Sequence, residues 1–157
     1  MDNHNHTTRK WSDVYKMQAY VPQEGRTLGV VDDFYFKPGT NAIYALGVST
    51  RINGERALPV TGIKEVGSEH IDLVNAQMLT HALPPLPRGQ ELRGKKVVNE
   101  TGKELGTVGD VWLATEHPTT LRIAAIEVQS ASGRRARTFT AGEIASYTDD
   151  AVIVYDR

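Results

Sequence analysis

Apolar and polar residues alternate along most of this chain in short runs, each closed by Gly, Pro or Asn, a pattern that predicts strands joined by tight turns. Residues 27–36 place Leu28, Val30, Phe34 and Phe36 in one such run, and Lys37-Pro38-Gly39-Thr40-Asn41 turns the chain. A strand over 43–48 follows, Asn53-Gly54 is a strong hairpin signal, and 56–60 returns. Residues 62–67 read as one helical or 3₁₀ turn ahead of a strand over 70–74. Two stretches leave the strand period. Ser12 and Asp13 suit the cap of a single helical turn before a strand over 18–21, and 75–83 predicts a helix capped by Asn75 with Ala76, Leu79 and Leu83 on one side. Pro84-Pro85-Leu86-Pro87 ends it as a stiff polyproline spacer of about 3.1 Å per residue.

The same programme is then written again. Gly25, Leu28, Gly29, Val31 and Asp33 recur as Gly102, Leu105, Gly106, Val108 and Asp110, each 77 residues on (102 − 25). At that separation 12–21 aligns with 89–98. By Ile71 and Val152 the shift has grown to 81 (152 − 71), the extra residues falling in loops, where insertions cost little. The Gly inside each run, Gly29 or Gly106, suits a bulge where a small barrel turns a corner. The expected fold is therefore all-β and mainly antiparallel, two small β-barrels in tandem with one or two short helices. Residues 1–10 are expected to be a disordered arm, 11–83 the first copy, 84–88 a Pro-rich linker and 89–157 the second copy. One copy alone would bury only about 60% of its unfolded surface, so the two are expected to lean on each other or on a second molecule.

Composition narrows the function classes without choosing one. A formal charge of −1 gives no global pull toward nucleic acid or anionic lipid. The absence of cysteine removes disulfides, thiol nucleophiles and thiolate metal sites. No run approaches the roughly 18 apolar residues of a membrane span, and the N-terminus lacks the apolar centre of a secretion signal, so a cytoplasmic protein is expected.

The repeated unit resembles the PRC-barrel domain, named after the cytoplasmic domain of the photosynthetic reaction-centre H subunit. The resemblance rests on Gly25, Leu28, Gly29, Val31 and Asp33 in one copy and Gly102, Leu105, Gly106, Val108 and Asp110 in the other, and spans residues 11–156. It implies a small antiparallel barrel that serves as a docking module. In the family's ribosome maturation factor a similar barrel helps engage ribosomal protein and assembly intermediates, and in the reaction centre it caps a membrane complex.

Candidate chemistry is sparse. Asp33 and Asp110 hold equivalent places, yet no His, Cys or Lys sits at a matched offset in both copies, so each is expected to accept backbone hydrogen bonds at a strand bend rather than act in catalysis. The glycine-rich run 102–109 lacks the Gly-Lys-Ser/Thr ending of a phosphate loop. His4 and His6 make a poor metal site, and His70, His81 and His117 fall in unrelated contexts. No enzyme activity, metal or cofactor is expected. Arg134, Arg135 and Arg137, with Arg93, Lys95 and Lys96, form the densest positive charge and the candidate contact for RNA phosphates or an acidic partner. Aromatic residues, among them Tyr35 and Trp112, do not all fit inside two small barrels: either they meet at the seam between the copies, or they form the surface for the protein partner or self-association that is the stronger expectation. A small-ligand carrier using the cleft between the copies is the remaining alternative.

Overall fold

The computed structural model describes residues 8–130 and 136–156. Its strands are β1 (Thr8–Lys10), β2 (Gln18–Val21), β3 (Arg26–Phe36), β4 (Ile43–Thr50), β5 (Gly54–Pro59), β6 (Ile63–Val66), β7 (His70–Leu73), β8 (Lys96–Asn99), β9 (Glu104–Ala114), β10 (Arg122–Gln129), β11 (Arg137–Thr140), β12 (Ile144–Tyr147) and β13 (Ala151–Val154). One helix of four residues, α1 (Trp11–Val14), precedes β2. The first half forms a sheet ordered β5-β4-β3-β2-β7-β6, and the second repeats it as β11-β10-β9-β8-β13-β12. Pairing is antiparallel except where β2 meets β7 and β8 meets β13. The all-β tandem barrel expected from the repeat is the fold observed.

Local chemistry explains why both long strands bend at the same place. Ala19 faces Gly29 and Val97 faces Gly106, and in both ladders the register slips at the next residue, leaving Leu28 and Leu105 as the bulge. A Cβ on Gly29 would run into the Ser49 carbonyl oxygen of β4, and one on Gly106 into that of Gln129 on β10. Only glycine lets three strands approach this closely.

The sequence expectations need four corrections. Residues 75–83 make a single 3₁₀ turn, Ala76–Met78, without a side-chain cap from Asn75; Thr80 instead pairs with Ala57 of β5. The stretch after that strand is a 3₁₀ turn, Val60–Gly62, followed by a strand, β6, which the pattern did not show. Residues 12–21 align with 89–98 one position too early. Val14 corresponds to Leu92, both buried, and left-handed Lys16 to left-handed Gly94, a shift of 78 (92 − 14). The difference is one residue fewer in the turn before Gly102 than in the turn before Gly25. Finally, Thr8–Lys10 are not part of a disordered arm but a strand; 1–7 lie outside the described residues.

That strand belongs to the other half's sheet. β1 pairs with the far end of β9 through Thr8–Ala114, Arg9–Leu113 and Lys10–Trp112. Reciprocally, the residues leading into the second half pair with the far end of β3: Arg88 bridges Tyr35, and Phe36 N–H donates to the Pro87 carbonyl at 3.1 Å. The Pro-rich segment is thus an edge of the first sheet as well as a spacer. The halves also meet where Ala42 bridges Arg122, with Ile43 N–H donating to Leu121 C=O and Ile123 N–H to Asn41 C=O. Ala42 and Arg122 are each other's repeat equivalents (122 − 42 = 80, as for the strand partners Leu46 and Ile126), so an approximate two-fold axis passes between them. The main hydrophobic core runs through both halves, from Trp11 and Phe34 to Ile126 and Val154, beside a small cluster of Tyr35, Ala45 and Ala57 in the first.

Candidate functional site

Asp33 and Asp110 are the equivalent acids of the repeat, and their surroundings follow from the exchange of leading segments. Each accepts its own next backbone N–H, from Phe34 at 2.9 Å and from Val111 at 2.9 Å. Each also accepts one from the other half: Gln90 N–H reaches Asp33 at 3.1 Å, and Ser12 N–H reaches Asp110 at 3.2 Å. Ser12, expected to cap α1, gives its hydroxyl to Asp110 instead. The two carboxylates are clasps between the halves, a role the sequence hinted at only as backbone acceptance at a bend.

A second symmetric contact lies beside each clasp. The Lys10 ammonium sits 5.3 Å from the Trp112 ring centroid, and the Arg88 guanidinium 5.3 Å from that of Tyr35, where Tyr35 and Trp112 are themselves equivalent (112 − 35 = 77). Trp112 also donates its indole N–H to Glu127 at 3.1 Å. Tyr35 is 1% exposed and packs against Ala45, Ala57 and Leu86. It is therefore unavailable to a partner, which corrects its expected surface role. Trp112 is half-buried under β1.

Only the first half concentrates acid here, because Asp32 has Gly109 as its counterpart. Burial pushes the Asp33 carboxyl up from its ordinary value, against the pull of its two backbone donors and of Arg88, 3.9 Å away. Glu55 is also raised, by burial first and then by the neighbouring Asp32 carboxyl, and burial raises the Tyr35 phenol. The Asp33 Oδ2 and Tyr35 hydroxyl are buried without hydrogen-bond partners. Asp33 itself is only 3% exposed, whereas Glu55 is exposed, and the described residues contain no cluster of His, Asp and Glu suited to a metal ion. The Asp-Asp doublet in an alternating strand is the signal that would have pointed to this cluster.

The basic residues are placed more loosely. Arg134 and Arg135 lie outside the described residues. Arg137 pairs with Asp156 at 2.7 Å and stacks on Phe139 at 4.7 Å. Lys95 donates to the Thr148 carbonyl at 2.9 Å. The structural motif glycines Gly25 and Gly102 both adopt left-handed turns, as the repeat implies.

Of the exposed large apolar residues, Tyr44 and Leu83 line a pair of neighbouring grooves, while Tyr15, Ile52 and Val74 line neither. Tyr44 is 44% exposed, with Lys37 5.7 Å from its ring, and stands between two grooves. One, about 600 Å³, runs over the two-fold between Asn41, Ile43 and Val60 of the first half and Thr119, Leu121 and Ala141 of the second. The other, about 560 Å³, passes over Ala45, Pro59, Leu83, Pro84 and Leu86.

The second of the two equivalent sheets, with its helical turn, bent glycine strand and acid, matches a known domain. The PRC-barrel family model fits residues 88–153. The chain carries a PRC-barrel domain. The first half repeats the strand order of that PRC-barrel unit. Among solved structures, a Pseudomonas aeruginosa protein described as a 16S ribosomal RNA processing protein, RimM, aligns over 82% of this chain and 97% of its own, at 15% identity and a TM-score of 0.34. No curated protein matches the chain.

Proposed function

We propose that this PRC-barrel protein is a non-enzymatic docking module that presents a face built from both halves to a protein partner. One observation carries the reading: an exposed tyrosine, Tyr44, between two mainly apolar grooves, one of which needs residues of both copies to form. A large ring flanked by apolar walls and rimmed by polar groups such as Lys37 and Arg122 is the composition of an interface centre. The test is retention of a partner from native lysate by the wild-type chain and by Tyr44→Asp, with light scattering and circular dichroism on both. A partner held by the wild type and lost by the folded variant supports the reading; identical retention overturns it.

The RNA reading through Arg134, Arg135 and Arg137 has less support, since Arg137 is already committed to Asp156 and Phe139. Salt-sensitive retention on RNA, lost on changing Arg134 and Arg135 to Ala, would favour it over a protein partner.

A further inference from the structure

The two halves repeat each other down to single hydrogen bonds, so a place where they differ is informative. In the first half the chain leaves β7 with Val74 N–H donating to the Gly62 carbonyl at 2.9 Å, then runs back along the outer edge of β5. There Ala57 N–H donates to Thr80 C=O at 3.0 Å, and Thr80 N–H to Ala57 C=O at 2.8 Å. Ala76, Met78 and Leu79 pack against the core on the way. The second half leaves β13 identically, Tyr155 N–H donating to Glu143 C=O at 2.8 Å. Among the described residues nothing then pairs with the outer edge of β11.

The equivalent of Ala57 on that edge is Thr138: Gly47 faces Ala57 as Glu127 faces Thr138. By that register the Thr138 N–H and C=O point outward, where Ala57 holds Thr80. Ala57 is 1% exposed, whereas Thr138 is exposed. Beside the edge lies a cavity of about 250 Å³ lined by Arg137, Phe139, Gly142, Glu143, Tyr155 and Asp156. It occupies the position at which the first half seats its 76–79 segment.

We propose that β11 takes an extended peptide segment of a partner protein by strand addition, with the Thr138 backbone as the central pair. The first half supplies the template for the occupant and the second half a restriction on it. Gly62 leaves room for Met78, since a Cβ there would lie 2.7 Å from that of Met78. Its equivalent is Glu143 (143 − 62 = 81), whose Cβ fills the space. The occupant therefore carries a small residue two positions before the one that pairs with Thr138. Charges at the groove are already matched, Arg137 to Asp156 and Glu143 to the Thr140 N–H, which favours an uncharged segment. Main-chain pairing supplies the affinity in such additions and the flanking side-chain pockets the selectivity. The inference does not depend on the Tyr44 face, and its test uses none of those residues.

The test uses the full chain and two synthetic peptides covering residues 74–83, one with the native sequence and one carrying Met78→Gly. Amide hydrogen exchange at Thr138 and fluorescence anisotropy of labelled peptide are the readouts. The Met78→Gly peptide is expected to bind and slow exchange at Thr138, with the native peptide weaker by about tenfold or more. Thr138→Pro, which removes the outward N–H at an edge position that tolerates proline, is expected to cost about tenfold in binding. The proposal is overturned if neither peptide slows Thr138 exchange or if protection appears at Ala57 alone. It is equally overturned if Thr138 is protected without peptide in a concentration-dependent way, which would mean a second copy holds the edge.

Discussion

Asp33 is the residue on which the molecule's electrostatics turn. Burial raises its folded pKa above that of the unfolded chain, so its contribution to stability is fully present below the ordinary carboxylate range and is lost as pH rises through the raised value. Asp33→Asn keeps an acceptor for the Phe34 and Gln90 donors and removes the titration. Its unfolding free energy, followed by urea melts from about pH 4 to 7, should therefore decline less toward neutral pH than the wild type's, the raised Glu55 carboxyl keeping its own share. Asp33→Ala should lose about 1–3 kcal/mol at any of these pH values, because the two backbone donors are stranded. Gly89 makes a steric counterpart to this polar clasp: a Cβ there would penetrate the Phe34 ring. Gly89→Ala should cost about 1–3 kcal/mol, or roughly 3–10 °C in Tm by calorimetry.

At the scale of elements, β1 is the piece whose importance far exceeds its three residues. It closes the far end of β9, covers Trp112 with Lys10, and lets Arg9 donate to the Gly67 carbonyl at 2.6 Å. Removing residues 1–10 should lower stability by about 1–3 kcal/mol and shift tryptophan emission to the red, read by thermal melts and fluorescence. The long strands, their bends and the hairpins were legible because alternation and glycine placement are local signals. β1 was not, since Thr8-Arg9-Lys10 has no apolar residue and pairs over a hundred positions away. Likewise 75–83 shows helical spacing, but Thr80 finds a stronger partner in the open edge at Ala57. The aromatic surplus reads either as a seam between the copies or as a partner surface; Trp11, Phe34 and Phe36 take the seam, packing into the shared core, where Phe36 meets Tyr147 of the other half at 5.2 Å. Nothing in one strand's pattern announces such a neighbour.

For the whole molecule, the common core means that most of each half's interior is shared with the other. Calorimetry should show one unfolding transition with equal calorimetric and van't Hoff enthalpies, and two resolved transitions would contradict the shared core. The duplication was readable from the paired glycines and acids; the reciprocal exchange of leading segments was not, because it concerns which copy a segment joins and not what shape it takes. That exchange has a mechanical side. A single protease cut within 81–83, where Leu83 is exposed, would sever the covalent path between the halves while Pro87, Arg88 and Gln90 still grip one sheet and residues 8–12 the other. The nicked fragments would stay interlocked, migrating as one species on a native gel and parting only in denaturant.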